Sequence, residues 1–263
     1  MLENLLLFVS SFFVSQVRAR NIAYNDVSRL DVYKPDTKEA GLPVVVFWYG
    51  GSWKKGSKEQ YRFVADGVAR SAHCIVIVAD YALSPAQKFP GFIDEAWDVV
   101  AWAQNHAADY GGDPANITVM GHSAGAHTAA MVFTGYRKPA GIQPVKKLIG
   151  VSGPYAFLVS YWRFLFGDAL ATGEAFPVNH VQRIKDPRTS RALLVHGRFD
   201  GIVYPRQTTL FADRLQETGV PTRAMRTMNG HMLVLLRFAS PFARFTATSK
   251  YLKNFVSNDG HAA

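Results

Sequence analysis

A serine lies between two glycines at a point where a strand pattern gives way to a helical one. The segment Gly121-His-Ser-Ala-Gly125 directly follows the apolar run Ile117–Met120 and precedes apolar residues at helical spacing. Glycines at these positions permit a sharp turn that would expose the Ser123 hydroxyl at the start of a helix. Such a segment also occurs as a glycine-rich packing turn, but its position after a strand favours a nucleophile for acyl transfer.

A serine nucleophile needs a general base, and the base needs a carboxylate that orients it. Asp200 follows the predicted strand Ala192–Val195, and His231 follows the short predicted strand Thr222–Thr227. A loop aspartate alone is more often a turn residue, and most histidines are structural. Their chain order and their shared position after strands nevertheless predict a triad of Ser123, Asp200 and His231.

Three other histidines lie near these residues in the sequence. We expect His122 to be part of the turn, His127 to face helix packing, and His196 to shape the turn that carries Asp200.

Acyl transfer also requires donors for the negative oxygen that develops on the carbonyl, and backbone N–H groups usually supply them. Tyr49-Gly-Gly-Ser-Trp53 follows the predicted strand Val44–Trp48, and its glycines would let the backbone approach a substrate. We expect the N–H groups of Gly51, Ser52 and Ala124 to form this oxyanion hole. A plain glycine turn is the structural alternative.

Short apolar runs alternate with helical patterns along the chain. The runs are continuous, which is typical of parallel strands covered on both faces. This succession predicts one α/β domain over residues 1–263, with a mostly parallel sheet flanked by helices on both faces. Leu30–Lys34 alternates instead and predicts an exposed antiparallel edge strand. The other predicted elements are strands at 43–49, 74–79, 117–120, 148–151, 192–195 and 222–227 and helices at 59–71, 92–108, 124–134 and 206–218.

Five motifs carry a resemblance to a known superfamily. They are Leu30-Asp-Val-Tyr-Lys-Pro35, Tyr49-Gly-Gly-Ser-Trp53, Asp80-Tyr-Ala-Leu-Ser-Pro85, Gly111-Gly-Asp-Pro114 and Gly121-His-Ser-Ala-Gly125. In this order they resemble the esterase/lipase families of the α/β-hydrolases, near the hormone-sensitive-lipase, bacterial feruloyl-esterase-like and kynurenine-formamidase groups. The resemblance implies the α/β-hydrolase fold and the same triad and oxyanion positions. Tyr49 and Ser52 depart from it, since they stand where these families have a histidine and a glycine.

The connection over residues 152–182 is long and rich in aromatic residues. It predicts a small lid or pocket insertion without a large cap domain. We expect Trp53, Tyr155, Phe157 and Trp162 to line a substrate pocket, with core packing as the alternative for the insertion's aromatic residues.

The function expected from these features is that of a serine carboxylesterase for short- to medium-chain or aryl esters, acting through an acyl-enzyme. One alternative is hydrolysis of an N-formyl aryl amide by the same triad. Another is a binding or receptor protein on the same fold, which the intact triad disfavours.

The chain has an excess of basic residues, which could indicate a nucleic-acid or membrane-surface partner. The chain carries 29 Lys and Arg against 20 Asp and Glu, a formal charge of +9, but the basic residues are scattered. We therefore expect a basic solvated surface and no nucleic-acid partner. No metal-ligand spacing or phosphate-binding loop suggests a cofactor. The expected partner is a small-molecule ester, and a homodimer stays open.

The first 20 residues allow several interpretations. Leu5 to Val14 is apolar but too short for a stable membrane span. Its helical spacing favours an amphipathic helix over residues 1–20, and a signal, an anchor or an interfacial helix are alternatives. We expect a cytoplasmic protein, or a periplasmic or secreted one if this segment acts as a signal. The single Cys74 excludes an intramolecular disulfide and is compatible with each compartment.

Overall fold

The computed structural model describes residues 17–157, 159–239 and 247–257. Its strands are β1 (Val17–Ala23), β2 (Arg29–Tyr33), β3 (Leu42–Trp48), β4 (Ile75–Ala79), β5 (Gly112–His122), β6 (Lys147–Val151), β7 (Arg191–Gly197) and β8 (Thr222–Thr227). They form one eight-stranded sheet in the order β1-β2-β4-β3-β5-β6-β7-β8. Strands β3 to β8 are parallel, so their carboxyl ends lie at the same edge of the sheet. Strand β2 runs antiparallel to both of its neighbours, β1 and β4.

Helices follow most of the parallel strands. They are α1 (Arg62–Ala72), α2 (Gly91–His106), α3 (Ala124–Phe133), α4 (Arg163–Phe166), α5 (Ala169–Thr172), α6 (Arg206–Glu217) and α7 (Ala247–Val256). Single turns of 3-10 helix lie at Lys58–Tyr61, Ala107–Tyr110, Ser160–Trp162 and Leu233–Arg237, and a longer one at Pro177–Arg183. Consecutive residues of β3 and β4 are buried, which requires cover on both faces of the sheet. The predicted mostly parallel α/β sheet is therefore confirmed.

The amino-terminal part of the sheet corrects two predictions. Residues 17–20, expected to end a helix over residues 1–20, lie in β1; residues 1–16 lie outside the described residues. The predicted edge strand, observed as β2, is buried between β1 and β4. The alternation arose from Asp31, a buried carboxylate that accepts the Asn21 N–H at 2.8 Å and lies 3.6 Å from the Lys58 ammonium. In a sequence, a charged residue that is buried with a partner cannot be distinguished from an exposed one.

The connection between β6 and β7, predicted to be a small aromatic-rich insertion, consists of short helical segments and forms no large cap domain within its described residues. Two of its aromatic side chains pack on Trp53, which lies in the loop after β3. The ring of Trp162 lies 5.4 Å from that of Trp53, and the ring of Phe166 lies 5.1 Å from it. Across the described ranges, no helix combines the length and the apolar composition needed to cross a lipid bilayer.

Candidate active site

Ser123 occupies a strained turn between β5 and α3. Its φ of 53° lies in the left-handed region, which non-glycine residues rarely adopt. The turn is tight because a Cβ on Gly121 would lie 2.1 Å from the Gly125 carbonyl oxygen, and one on Gly125 would lie 2.0 Å from that of Trp48. The two glycines are therefore required sterically, and strain of this kind is typical of functional sites.

The three residues of the predicted triad meet at the carboxyl edge of the sheet. Nε2 of His231 lies 2.9 Å from Oγ of Ser123, and Nδ1 of His231 lies 2.7 Å from Oδ2 of Asp200. Asp200 accepts a hydrogen bond, so Nδ1 carries a proton and Nε2 of the neutral ring can accept one from the serine. His231 and Asp200 are both buried. This geometry can perform general-base-assisted nucleophilic attack.

Asp200 is held by donors on both oxygens. Oδ1 accepts the backbone N–H groups of Ile202 and Val203, each at 2.9 Å, and Oδ2 lies near His231 and, at 3.1 Å, near Nε2 of His196. Burial opposes its ionisation, but the hydrogen bonds from His196, His231 and Val203 outweigh it and hold the pKa of Asp200 below its usual range. The carboxylate is therefore charged throughout the working pH range and oriented toward His231.

His196 contacts the Asp200 carboxylate, a contact that the sequence did not indicate. Its Nε2 faces two acceptors, Oδ2 of Asp200 at 3.1 Å and the Val203 carbonyl oxygen at 2.8 Å, so Nε2 carries the proton. Nδ1 lies 2.6 Å from Oγ of Thr208, whose hydroxyl can donate to it. His196 does shape the turn, as predicted, and it also contacts the carboxylate. Its position four residues before Asp200, at the end of β7, is the signal that could have suggested this.

His122 supports His231 through the backbone. It is fully buried, its Nε2–H donates to the His231 carbonyl oxygen at 3.1 Å, and the two rings lie 4.8 Å apart. Burial, reinforced by the neighbouring His231, lowers the pKa of His122 to about 3. His122 is therefore a neutral donor that fixes the loop carrying His231, beyond the turn role expected of it.

The predicted oxyanion loop adopts an unusual backbone. Ser52 and Trp53 have φ of 59° and 55°, and a Cβ on Gly51 would lie 1.8 Å from the Lys55 carbonyl oxygen. Ser52 and Ala124 line a pocket together with Ser123, whereas Gly51 does not line it. The Gly51 carbonyl instead accepts the N–H groups of Lys54 and Lys55, at 3.1 and 3.2 Å, which closes the loop into a tight turn.

Tyr49, which replaces the histidine of related families, packs beneath this loop. Its buried ring stacks between those of Tyr61 and Tyr81, at 5.7 and 4.7 Å. The Tyr81 hydroxyl donates to the Tyr49 carbonyl oxygen at 3.1 Å. Tyr49 thus supports the loop from the core and does not line the pocket.

The pocket beside Ser123 has a volume of about 120 Å³. Its lining residues are Ser52, Trp53, Ser123, Ala124, Pro154, Phe157, Val159, Trp162, Ile202, Val203, Tyr204 and Gln207. The expected pocket residues Trp53, Phe157 and Trp162 are among them. Tyr155 is not, and this prediction is wrong: its buried ring stacks on Phe211 at 4.8 Å, in the core under the insertion.

Gln207 joins α6 to the insertion. Its Oε1 accepts hydrogen bonds from the N–H groups of Ala156 and Phe157, at 2.7 and 3.1 Å, and its Nε2 donates to the Phe157 carbonyl oxygen at 2.5 Å.

Within the described ranges, no group of three or more His, Cys, Asp or Glu side chains is arranged to hold a metal ion.

Models of two known families match the chain. A model of the prolyl oligopeptidase family matches residues 93–241, which is more than half of the chain, and a model named BD-FAE matches residues 30–143. The chain belongs to the α/β-hydrolase esterase/lipase superfamily. By the extent of the first match it belongs, within that superfamily, to the prolyl oligopeptidase family.

Its curated relatives carry esterase names. The carboxylesterase NlhH of Mycobacterium tuberculosis is 35% identical over 119 residues, which cover 44% of this chain and 37% of NlhH. The isoprenylcysteine alpha-carbonyl methylesterase ICME of Arabidopsis thaliana is 31% identical over 236 residues, which cover 80% of this chain and 55% of ICME. The chain thus spans about half of these relatives or less.

Solved esterase structures share the fold. The thermostable carboxylesterase EstE1, cloned from a metagenomic library, superimposes with a TM-score of 0.76 at 22% identity, covering 97% of this chain and 92% of EstE1. Est2 of Thermogutta terrifontis superimposes with a TM-score of 0.74 at 21% identity, covering 92% of this chain and 94% of Est2. At this identity they establish the α/β-hydrolase fold alone.

Proposed function

We propose that this chain is a serine carboxylesterase that hydrolyses short- to medium-chain or aryl carboxylic esters. The observation that carries the proposal is the hydrogen-bonded series from Ser123 through His231 to Asp200, whose serine end opens into an apolar pocket. The esterase names of its relatives agree with the bond type.

The proposed reaction proceeds through an acyl-enzyme. Oγ of Ser123 attacks the ester carbonyl carbon while Nε2 of His231 takes its proton, and Asp200 stabilises the imidazolium. The N–H groups of Ser52 and Ala124, which line the pocket with Ser123, stabilise the tetrahedral oxyanion, and Gly51 closes the turn that positions Ser52. His231 then protonates the leaving alcohol oxygen. A water molecule, deprotonated by His231, attacks the acyl-enzyme, and Ser123 regains its proton as the acid leaves.

The pocket indicates a short acyl or compact aryl group. At about 120 Å³ it is small beside the roughly 300–1,000 Å³ of pockets for drug-sized ligands. Trp53 and Trp162 close one side, and their rings are buried or half-buried. Its lining includes no charged side chain, which suits an uncharged substrate.

A substrate panel tests the proposal. Purified protein is assayed with p-nitrophenyl esters from acetate to palmitate and with an N-formyl aryl amide, beside a Ser123→Ala control. We expect turnover of the shorter esters, a decline with chain length, and no turnover by the control. Faster cleavage of the formyl amide than of every ester would favour amide hydrolysis. A folded protein inactive on both classes would contradict the proposal and favour the binding-protein alternative.

A further inference from the structure

Exposed large apolar side chains concentrate around the pocket mouth. Eleven are exposed in the described part of the chain, and all except Val27 lie in the three segments 157–164, 199–204 and 228–236. We refer to these ten as the apolar rim: Phe157, Val159, Tyr161, Phe164, Phe199, Ile202, Tyr204, Met228, Leu233 and Leu236.

Six members of the rim adjoin the pocket beside Ser123. Four of these, Phe157, Val159, Ile202 and Tyr204, line the same pocket as Ser123. The other insertion residues, Tyr161 and Phe164, pack on the pocket residue Trp162 with ring centroids 5.4 and 6.0 Å away.

The other four members of the rim lie in the two loops that carry Asp200 and His231. The Phe199 N–H donates to the carbonyl oxygen of Asn229 at 3.1 Å, which brings the Asp200 loop against the His231 loop that carries Met228. Leu233 and Leu236 follow in the 3-10 turn directly after His231. The rim therefore flanks the pocket mouth from the insertion, the Asp200 loop and the His231 loop.

Exposing so many large apolar side chains to water is unfavourable in free energy. Ile202 is 69% exposed and Met228 66% exposed, and burying one such side chain is worth a large fold-change in any binding equilibrium. Apolar side chains scattered singly need no explanation, but a cluster at one face marks an interaction site.

Basic residues outnumber acidic ones around the rim. The segments 157–166, 198–206 and 226–237 contain five arginines, and their only carboxylate is the buried Asp200. The arginines are Arg163, Arg198, Arg206, Arg226 and Arg237. Asp168, just outside, lies 3.7 Å from Arg163. Lys54 adds a cation whose Nζ lies 4.2 Å from the Phe164 ring centre and 3.1 Å from the Tyr161 hydroxyl.

We propose that the apolar rim docks this protein on a lipid surface containing anionic headgroups, with the pocket mouth facing that surface. Exposed aliphatic and aromatic side chains enter the boundary between headgroups and acyl chains, and the surrounding arginines contact lipid phosphates.

A second copy of the chain fits this surface less well. A two-fold interface would place each set of arginines against the other without exposed carboxylates from these segments to pair them.

Vesicle co-sedimentation of the full chain tests this proposal. Vesicles of phosphatidylcholine are compared with vesicles that also contain phosphatidylserine. We expect binding to the second kind that weakens with salt. The variant Phe199→Ser/Ile202→Ser/Met228→Ser should bind at least tenfold more weakly because three apolar side chains no longer insert. Val27→Ser, which changes an apolar residue 79% exposed outside the rim, is the matched control and should bind as the wild type does.

A second variant separates charge from apolar insertion. Arg198→Gln/Arg206→Gln should lower the affinity for the anionic vesicles about tenfold or more. Ser123→Ala should bind normally, since docking does not require hydrolysis, and an inactive protein that still docks would leave this proposal standing.

Three results would overturn the proposal. One is a wild-type chain that does not sediment with anionic vesicles. Another is undiminished binding by the folded triple variant, which would assign binding to a different surface. The third is a stable dimer in sedimentation velocity that the triple variant dissociates, which would show that the rim pairs two copies.

Discussion

Asp200 is the residue on which most of the candidate site converges. Two backbone N–H groups, His196 and His231 all direct donors at its carboxylate, and the result is a pKa held below the usual range despite burial. A carboxylate fixed in this way orients His231 without itself taking a proton. The role of His196 as a positioning residue follows from its contact with the same oxygen that contacts His231.

Substitution of His196 tests that role. His196→Leu removes a hydrogen bond to a charged group and should lower kcat about tenfold, with KM for a small ester nearly unchanged. Asp200 then holds the His231 imidazolium more strongly, so the acid limb of kcat/KM should move to higher pH. His196→Gln can place an amide N–H near the position of Nε2 and should restore most of both quantities. pH–rate profiles of the two folded variants check this; equal losses in both, with an unmoved acid limb, would make His196 purely structural.

Ser52 tests the proposed use of the backbone as an oxyanion donor. Its φ of 59° costs a non-glycine residue about 1–2 kcal/mol, so Ser52→Gly should keep activity within about threefold and keep stability. A β-branched side chain tolerates this φ least. Ser52→Val should therefore displace the loop and lower kcat on the order of 10²-fold. Steady-state kinetics on folded variants decide; a Ser52→Gly enzyme as impaired as Ser52→Val would mean that the hydroxyl itself is needed.

At the scale of elements, the turn from β5 to α3 carries the nucleophile. Gly121→Ala and Gly125→Ala each put a Cβ within 2.1 Å of a backbone carbonyl oxygen, and backbone cannot move aside cheaply. Both variants should lose several kcal/mol of stability or fail to fold. Gly201→Ala, next to Asp200 but with no atom within 4 Å of the added Cβ, is the matched control and should stay within about 0.5 kcal/mol of the wild type. Urea unfolding checks this, and a Gly121→Ala and a Gly125→Ala protein as stable as the wild type would refute the tight turn.

The elements differ in how far the sequence determined them. Strands β3 to β7 were predictable because both of their faces are covered, which leaves continuous apolar runs. The sequence predicts β2 as an exposed edge because Asp31 looks like a solvent-facing residue, and its partner inside the protein, Lys58, lies 27 positions away along the chain. The helical spacing of the apolar residues before Phe13 extends the predicted helix to residue 20, whereas Val17–Ala23 alternates and pairs with β2 as an edge strand.

In the candidate site, too, some residues were predictable from the sequence and others were not. Ser123, Asp200 and His231 were predictable from local turn chemistry, since each follows a strand of the parallel sheet. The prediction for Tyr155 is wrong because an aromatic residue in such a segment can line a pocket or pack in the core, and the composition of the segment does not distinguish the two. The contacts of His196 and His122 depend on side-chain directions that only the folded chain specifies.

At the scale of the whole molecule, buried neutral histidines make stability depend on pH. Burial lowers the pKa of His122 to about 3 and that of His127 to about 4, against 6.5 in an unfolded chain. Below pH 6.5 the unfolded state therefore binds more protons than the folded state. The stabilisation is complete above that pH and is lost as the pH falls toward the folded values. Each group should cost about 2 kcal/mol of stability between pH 7 and pH 5.

Replacing one of these histidines isolates its contribution. Nε2 of His127 lies 2.7 Å from the Ala175 carbonyl oxygen, and His127→Gln keeps an N–H for that acceptor. The free energy of unfolding, measured in urea at pH 7 and pH 5, should fall by about 2 kcal/mol less in this variant than in the wild type. His106→Gln, whose side chain is 50% exposed, is the control. An unchanged difference in His127→Gln would show that His127 is not buried as a neutral group.

Covalent labelling of the nucleophile tests the central claim most directly. A fluorophosphonate reacts with a serine only where a base activates it and an oxyanion site receives the phosphonyl oxygen. Intact-mass analysis of the wild type should show one adduct, and peptide mapping should place it on Ser123. Folded Ser123→Ala and His231→Ala proteins should show no adduct under the same conditions. A label on another residue of the wild type, or labelling of Ser123→Ala at the wild-type rate, would contradict the assignment of Ser123 as the nucleophile.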